Sequence, residues 1–329
     1  MSQNLSEAIY ELRPVLEALD KERQALQSRF WRNSLIGLVV VLVLSLIGFA
    51  FFDVPALLFG GVAGLIAVGV AYYSANSEWR RQFKWMALTQ LIKRVHPTLD
   101  YYPDQYISEQ EYHLSMLFHS SPDPDRYRGE DYIEGVIDKT DIRLSELHTE
   151  YRQVSYDSKG NRQERWVTIF RGLFISADFH KHFHGITLVL PDSEQRLLGG
   201  LGQWLQSLSA KMGNQPGELI KMEDPEFERI FKVYSTDPIE ARYILTPNMI
   251  TRLIDFQKRT QAPIRVAFVA SRVYVAIPTR HDHFEPPSLF ASSQEVVRPE
   301  TLQQYFEELQ FVVGIVDELN LNTRIWTKR

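Results

Sequence analysis

Leu35–Phe52, LIGLVVVLVLSLIGFAFF, runs for 18 residues without a charge. After Asp53, Val54–Tyr73, VPALLFGGVAGLIAVGVAYY, adds 20 more. At about 1.5 Å rise per residue, either run matches the roughly 30 Å hydrocarbon core of a bilayer. A lone apolar run near residue 35 could be a signal peptide. A long charged leader, a second run and no small-residue cleavage site point instead to two spans. The link carries only Asp53 and Pro55 as turn residues, so the spans form an antiparallel hairpin with both chain ends on one side. Arg29 and Arg32 precede the first span, and Arg80, Arg81, Lys84, Lys93 and Arg94 follow the second, while the link has no basic residue. By the positive-inside bias, both termini are expected in the cytoplasm. Gly60 and Gly64 have the GxxxG spacing that permits close helix approach, either inside the hairpin or between copies. Trp31, Tyr72 and Tyr73 suit the interfacial belts.

The flanks continue as helices. Leu5, Ile9, Leu12, Leu16, Leu19, Arg23, Leu26 and Phe30 alternate steps of four and three, which draws one apolar stripe along a helix with a single arginine on it. Pro14 could separate the first turns into a short helix of their own. Past the second span, Phe83, Met86, Leu91 and Val95 are the candidate apolar positions before Pro97 ends the helix. Because the hairpin reverses the chain, the two stripes are expected to pack on each other as a short stalk. A self-associating coiled coil is the alternative. The basic flanks could also attract anionic lipid headgroups.

From about Tyr106 onward the pattern is α+β, with a mixed or antiparallel sheet and helices. YIEGVIDKTDIRLSELHTEYRQVSY reads as one or two strands, DSKGN as a hairpin turn, and RWVTIFRGLFISADF and GITLVLP as further strands. Gly172 is a candidate bulge or close-packing point. Ser193–Met212 has helical spacing, Pro247–Thr260 and Pro299–Leu321 read as helices, and IRVAFVASRVYVAIP as a hairpin of buried strands. The expected organisation is therefore 1–34, a cytoplasmic amphipathic helix; 35–73, a transmembrane hairpin (35–52 and 54–73); 74–105, a juxtamembrane helix and linker; and 106–329, a cytoplasmic α+β domain.

Composition narrows the function classes. With 36 basic and 41 acidic residues the net charge is −5, which is no nucleic-acid footprint. With no cysteine there is neither a disulfide framework nor a thiolate metal site. The spans lack the polar intramembrane residues that a transport path requires.

Several stretches, LFHSSPDPDRYRGEDYIEGVIDKTDIRLSELHTEY, IFRGLFISADF, DPEFERIFKVYSTDPIEARYILTPNM and RVYVAIP, together resemble a bacterial membrane-protein family, domain-of-unknown-function family 3137. The resemblance runs from about Ile107 to Ile325, and several motifs in one order make it specific. It implies a bacterial inner-membrane protein of a family with no established activity, cofactor or catalytic residues. It also implies a setting shared with LemA-like membrane proteins, which become the candidate protein partner.

Five of the nine histidines sit in two short stretches, HKHFHG (His180–Gly185) and RHDHFE (Arg280–Glu285). In an extended strand His180, His182 and His184 share one face, and Phe179, Lys181 and Phe183 the other. Three such histidines span about 13 Å at roughly 3.3 Å per residue, so at most two can hold one ion. His180, His182, His281 and His283 are the candidate metal ligands, should the stretches meet. In the simpler reading the phenylalanines face the core, the histidines face water, and Gly185 makes a turn. RYRGED (Arg126–Asp131) concentrates opposite charges, either as an ion-pair network fixing the start of the domain or as a ligand site. Asp224-Pro225 with Glu226 and Glu228 reads as a helix cap. GGLG at Gly199–Gly202 lacks the lysine of a phosphate loop, and no GxSxG, HExxH or kinase-type motif is present. The expected function is a membrane-anchored, non-enzymatic scaffold binding a protein or peptide, without a cofactor. The alternative is a membrane-tethered, metal-dependent enzyme using the histidines.

Overall fold

The computed structural model describes residues 2–52, 54–179, 182–192, 217–280 and 282–318. The chain divides into two units, Met1–Val95 with Phe284–Glu308, and His96–His283 with Leu309–Arg329.

The first unit is helical. Helix α1 (Ser2–Phe52) is continuous through Pro14, and α2 (Val54–Phe83) passes through one π-helical turn, Lys84–Leu88, into α3 (Thr89–Val95). Both long helices include stretches long and apolar enough to cross a membrane, and almost none of that apolar surface is buried. Leu38, Leu42 and Leu46 on α1, and Leu58, Leu65 and Ile66 on α2, lie open. The hairpin is tight: a Cβ added at Gly60 would come 2.7 Å from that of Ser45, so this half of the GxxxG pair serves packing inside the hairpin.

Below the apolar stretch the expected stripe is a real seam. Leu12, Leu16, Leu19, Leu26 and Phe30 are buried, and so is Arg23 among them. Opposite them lie Trp79, Phe83, Ala87, Leu88, Leu91 and Ile92. Met86 and Val95, expected inside, are only half-buried. The π-turn explains the change: Thr89 N–H donates to Lys84 O, a five-residue step that inserts one residue and rotates the helical phase beyond it. The segment Phe284–Glu308, expected within the C-terminal domain, belongs with these helices. Its first residues form a loop, followed by a short α8 (Ser293–Val296) and the start of α9 (Pro299–Glu318). Arg23 donates to Asp20 (2.7 Å) and to the carbonyls of Leu289 (2.9 Å) and Ala291. Gln27 donates to the Leu289 carbonyl as well, and Trp79 Nε1 to that of Pro287 (2.7 Å). Burial works against the Asp20 carboxylate, but hydrogen bonds from Ser293, Arg23 and Gln24 and the Arg23 charge hold its pKa below the ordinary value.

The second unit is built on a nine-stranded sheet, in the order β1-β2-β3-β4-β9-β8-β5-β7-β6. Every described pair is antiparallel. The strands are β1 (Leu99–Tyr102), β2 (Arg126–Ile137), β3 (Thr140–Tyr156), β4 (Arg162–Asp178), β5 (Thr187–Pro191), β6 (Glu218–Ile220), β7 (Phe231–Ser235), β8 (Arg265–Val269) and β9 (Arg272–Pro278). β2 and β3 divide the first long strand-like stretch at Asp138-Lys139, where Asp138 has φ 54°. DSKGN turns β3 into β4, with Asp157 accepting from the backbone N–H groups of Lys159 and Asn161. Gly172 proves to be a close-packing point: its φ is 148°, and a side chain there would strike the Ile277 carbonyl of β9.

Side-chain caps start the helices that follow, and the one expected from the sequence, at Asp224, is present. Asp224 accepts from Glu226 N–H (2.8 Å) and Phe227 N–H (2.9 Å) to start α5 (Pro225–Ile230). Asp237 does the same for α6 (Pro238–Ile244), and Thr246 caps α7 (Pro247–Thr260). α4 (Glu109–Leu114) was not evident in the sequence. Its Tyr112, with Leu117 and Phe118 just beyond, packs with Leu147, Phe170 and Phe174 of the sheet, and Tyr112 stacks on Phe118 with centroids 4.6 Å apart. The expected helix Ser193–Met212, the GGLG stretch, His180 and His281 lie outside the described residues.

Candidate functional site

The register of β2 on β3 breaks between Glu130/Glu146 and Ile133/Leu144, so Asp131 and Tyr132 together oppose Ser145. Asp131 sits in this bulge at φ 60°, a conformation rare for a residue with a side chain, and is 1% exposed. Its N–H donates to Pro103 O (3.0 Å), and its carboxylate accepts from the Tyr101 hydroxyl. Burial, then the Asp131 charge, pushes the Tyr101 hydroxyl well above its ordinary pKa, so it remains a donor. Just before the bulge, Gly129 has no room for a side chain: a Cβ would come 2.6 Å from that of Tyr106 and 2.5 Å from Glu146 O. RYRGED thus encodes a strand that must approach β3 closely and then kink.

The kink opens a cleft of about 480 Å³, lined by Arg128, Glu130, Glu146, His148, Arg171 and Asp282 with parts of Pro103, Asp104, Gly129 and Leu147. Pairing explains the set. His148 of β3 lies between Arg128 of β2 and Arg171 of β4, and Glu146 is two residues further along β3. Asp282, after β9, reaches back to Arg171 at 2.7 Å. The next residue, His283, donates its backbone N–H to the Glu146 carboxyl. RYRGED and RHDHFE, over 140 residues apart, therefore meet across β3.

Glu146 is the distinctive group. It is 7% exposed, and burial raises its carboxyl from 4.5 to about 9, with the Asp131 charge adding to the rise. The His283 N–H opposes this, while Asp282 and Glu130 reinforce it. At neutral pH Glu146 therefore holds its proton and presents an O–H donor at the cleft. Arg171, paired with Asp282, is held above its ordinary pKa by that hydrogen bond and charge. The cleft combines one protonated acid, two guanidinium groups and exposed carboxylates. It can hydrogen-bond a polar ligand at several points and can give or take one proton.

Of the four histidines singled out from sequence, His182 and His283 are described. β4 and β9 pair from Gly172↔Pro278 to Asp178↔Arg272. His283 follows the first end and His182 the second, about 20 Å apart along the ladder. Among the described residues no three His, Asp or Glu side chains group to hold a metal. Phe179 and Phe183 are buried against Phe268, while His182 and His184 are exposed. The N–H groups of His184 and Gly185 donate to Glu240, which ties the stretch to α6. Sequence reasoning passed over Glu146, His148 and Arg171. The available signal was phase: Glu146 continues the alternation of buried Ile142 and Leu144, where a charge is unexpected.

Among curated proteins none matches this chain. Among solved structures, it is similar to the crystal structure of the mycobacterial trehalose monomycolate transport factor A, TtfA. The two are 14% identical over 68% of this chain and 95% of that one, with a TM-score of 0.31. A family model described as a protein of unknown function, DUF3137, matches residues 168–321, within the stretch on which the sequence resembles that family.

Proposed function

We propose that this chain is a membrane-anchored binding protein of a bacterial inner membrane, with two spans and a cytoplasmic α+β unit that receives a protein or peptide partner in the Glu146 cleft. One observation carries the anchoring. The described apolar side chains of α1 from Leu35 to Phe49 and of α2 from Leu58 to Val70 are mostly open, an arrangement that water does not tolerate and lipid does. The basic residues on both flanks and their absence from the link support the cytoplasmic side. The cleft supports the binding role through convergent donors and acceptors on strands whose close approach is fixed by Gly129.

Absence of cysteine makes the test direct. Single cysteines at Pro55 and Asn161 are exposed to a membrane-impermeant maleimide on intact cells. Labelling of Pro55→Cys alone, with Asn161→Cys reacting only after lysis, supports the topology; the reverse overturns it. For the partner, a photo-crosslinking residue at His148 should give one discrete adduct in native membranes, and a LemA-like protein is the first identity to check. An identical adduct from a crosslinker at Asn161 would count against the cleft.

A second reading, catalysis by a membrane-tethered enzyme, has one observation in its favour: a carboxylic acid poised to transfer a proton in a cleft. Turnover of any ligand captured by the cleft, lost in Glu146→Gln while binding persists, would select it.

A further inference from the structure

Far from the apolar helices in sequence, Pro286–Ser292, PPSLFAS, forms an uncharged loop in the helical unit. Its two central apolar residues point opposite ways. Leu289 is fully buried, whereas Phe290 is 44% exposed. The Phe290 ring stacks on Tyr72 (centroids 6.0 Å, planes 10° apart) and meets Phe30 edge-on at 5.4 Å and Trp31 at 6.2 Å. Trp31 is itself 64% exposed. These rings stand where the open apolar belt begins, Trp31 one turn before Leu35 and Tyr72 just after Val70. Aromatic side chains with one apolar and one polar end favour that depth.

The backbone of the loop is equally suited to it. The Pro287 carbonyl accepts from Trp79, that of Leu289 from Arg23 and Gln27, and that of Ala291 from Arg23, while the N–H groups of Phe290 and Ala291 donate to Ser288. Irregular backbone is costly near lipid unless its polar groups are satisfied, and here the seam helices satisfy three carbonyls and Ser288 two N–H groups. Glu285, the charge that precedes the loop in sequence, pairs with Arg80.

We infer that the Ser288–Phe290 tip is a third membrane contact, with Phe290 seated among lipid headgroups beside Trp31 and Tyr72. The inference rests on the two-span reading and extends the anchor to a segment that no hydropathy scan would select. The partner surface is the bilayer itself, because the aromatic cluster is continuous with the belt that the spans expose.

The test uses the full chain in phosphatidylcholine–phosphatidylglycerol vesicles, with single nitroxide-labelled cysteines at Phe290, Ser288, Leu42 and Tyr156. Collision with oxygen and with a nickel chelate reports depth. The expected result is a chelate collision rate at 290 several-fold below that at Tyr156 and above that at Leu42, with Ser288, where Phe290 is retained, nearer to water. Chelate access at both 288 and 290 equal to that at Tyr156, with Leu42 protected, would overturn the loop contact and leave the spans standing. Free chelate access at Leu42 would overturn the spans, and the inference with them. Protection at 290 from both reagents, with dipolar broadening between labels, would assign the surface to a second copy of the chain and also overturn it.

Discussion

Arg23 and Glu146 are both buried charged residues, one in each unit, and their surroundings differ in kind. Arg23 is 2% exposed and has opposite charge and carbonyl oxygens around it: Asp20, Leu289 and Ala291. Glu146 is 7% exposed and has charges of its own sign nearby, Asp131, Asp282 and Glu130, against a backbone N–H from His283 and the more distant Arg171 charge. A buried charge with a full set of partners holds elements together. One whose neighbours push it out of its charged form has been left to meet something else, because nothing in the fold gains from the conflict.

The largest expected effect comes from breaking the first case. Arg23→Leu takes the counter-charge from Asp20 and a donor from the Leu289 and Ala291 carbonyls in the seam and should cost about 3–5 kcal/mol. Denaturant unfolding of the detergent-solubilised chain measures it, and limited proteolysis should open the 284–298 loop first. A loss under about 1 kcal/mol would remove the distinction between the two sites.

The second case predicts a pH signature. Because the folded-state value of Glu146 is raised from 4.5 to about 9, the folded protein holds a proton there that the unfolded chain has released. Its contribution is full below pH 4.5 and is lost as pH climbs toward 9, at up to about 1.4 kcal/mol per pH unit. Glu146→Gln should flatten that part of the stability profile, gaining over the native chain at pH 8 and not at pH 4.5. Parallel profiles would contradict the assignment.

Smaller effects sharpen the contrast. Asp224→Ala removes a helix cap far from either charge and should cost about 1 kcal/mol, independent of pH above the carboxylate range. Arg171→Ala breaks a pair whose side chains are 44% and 39% exposed, so its stability loss should stay below about 1 kcal/mol. It should nevertheless shift the Glu146 titration upward, since the Arg171 charge is coupled to that carboxyl. Thermal melts across pH separate the two outcomes.

The same contrast shows what was legible in the sequence. The seam could be read residue by residue, from Leu12 to Phe30, because a helix repeats its face and neighbours in space are neighbours in sequence. Its misplacements, Met86 and Val95, came from a π-turn that no periodicity announces. Helix α7 and the β8–β9 hairpin were equally local, with Thr246-Pro247 as a start signal and Ala270-Ser271 as a turn in the left-handed region. The cleft was not legible. Arg128, Glu146, Arg171 and Asp282 come together only through the register of β2, β3 and β4 and the return of the chain after β9. The histidine runs drew attention because they are conspicuous in sequence. The group that matters here is a single glutamate in the wrong phase of a strand.

The most direct measurement is the protonation state of Glu146 itself. Infrared difference spectra between the native chain and Glu146→Gln, recorded at pH 7, should show the band of a protonated carboxylic acid that the variant lacks. That band should fade as pH is raised through about 9. A spectrum at pH 7 with only carboxylate bands in the difference would mean that Glu146 is charged and compensated like Arg23, and the cleft would lose its claim to be the site.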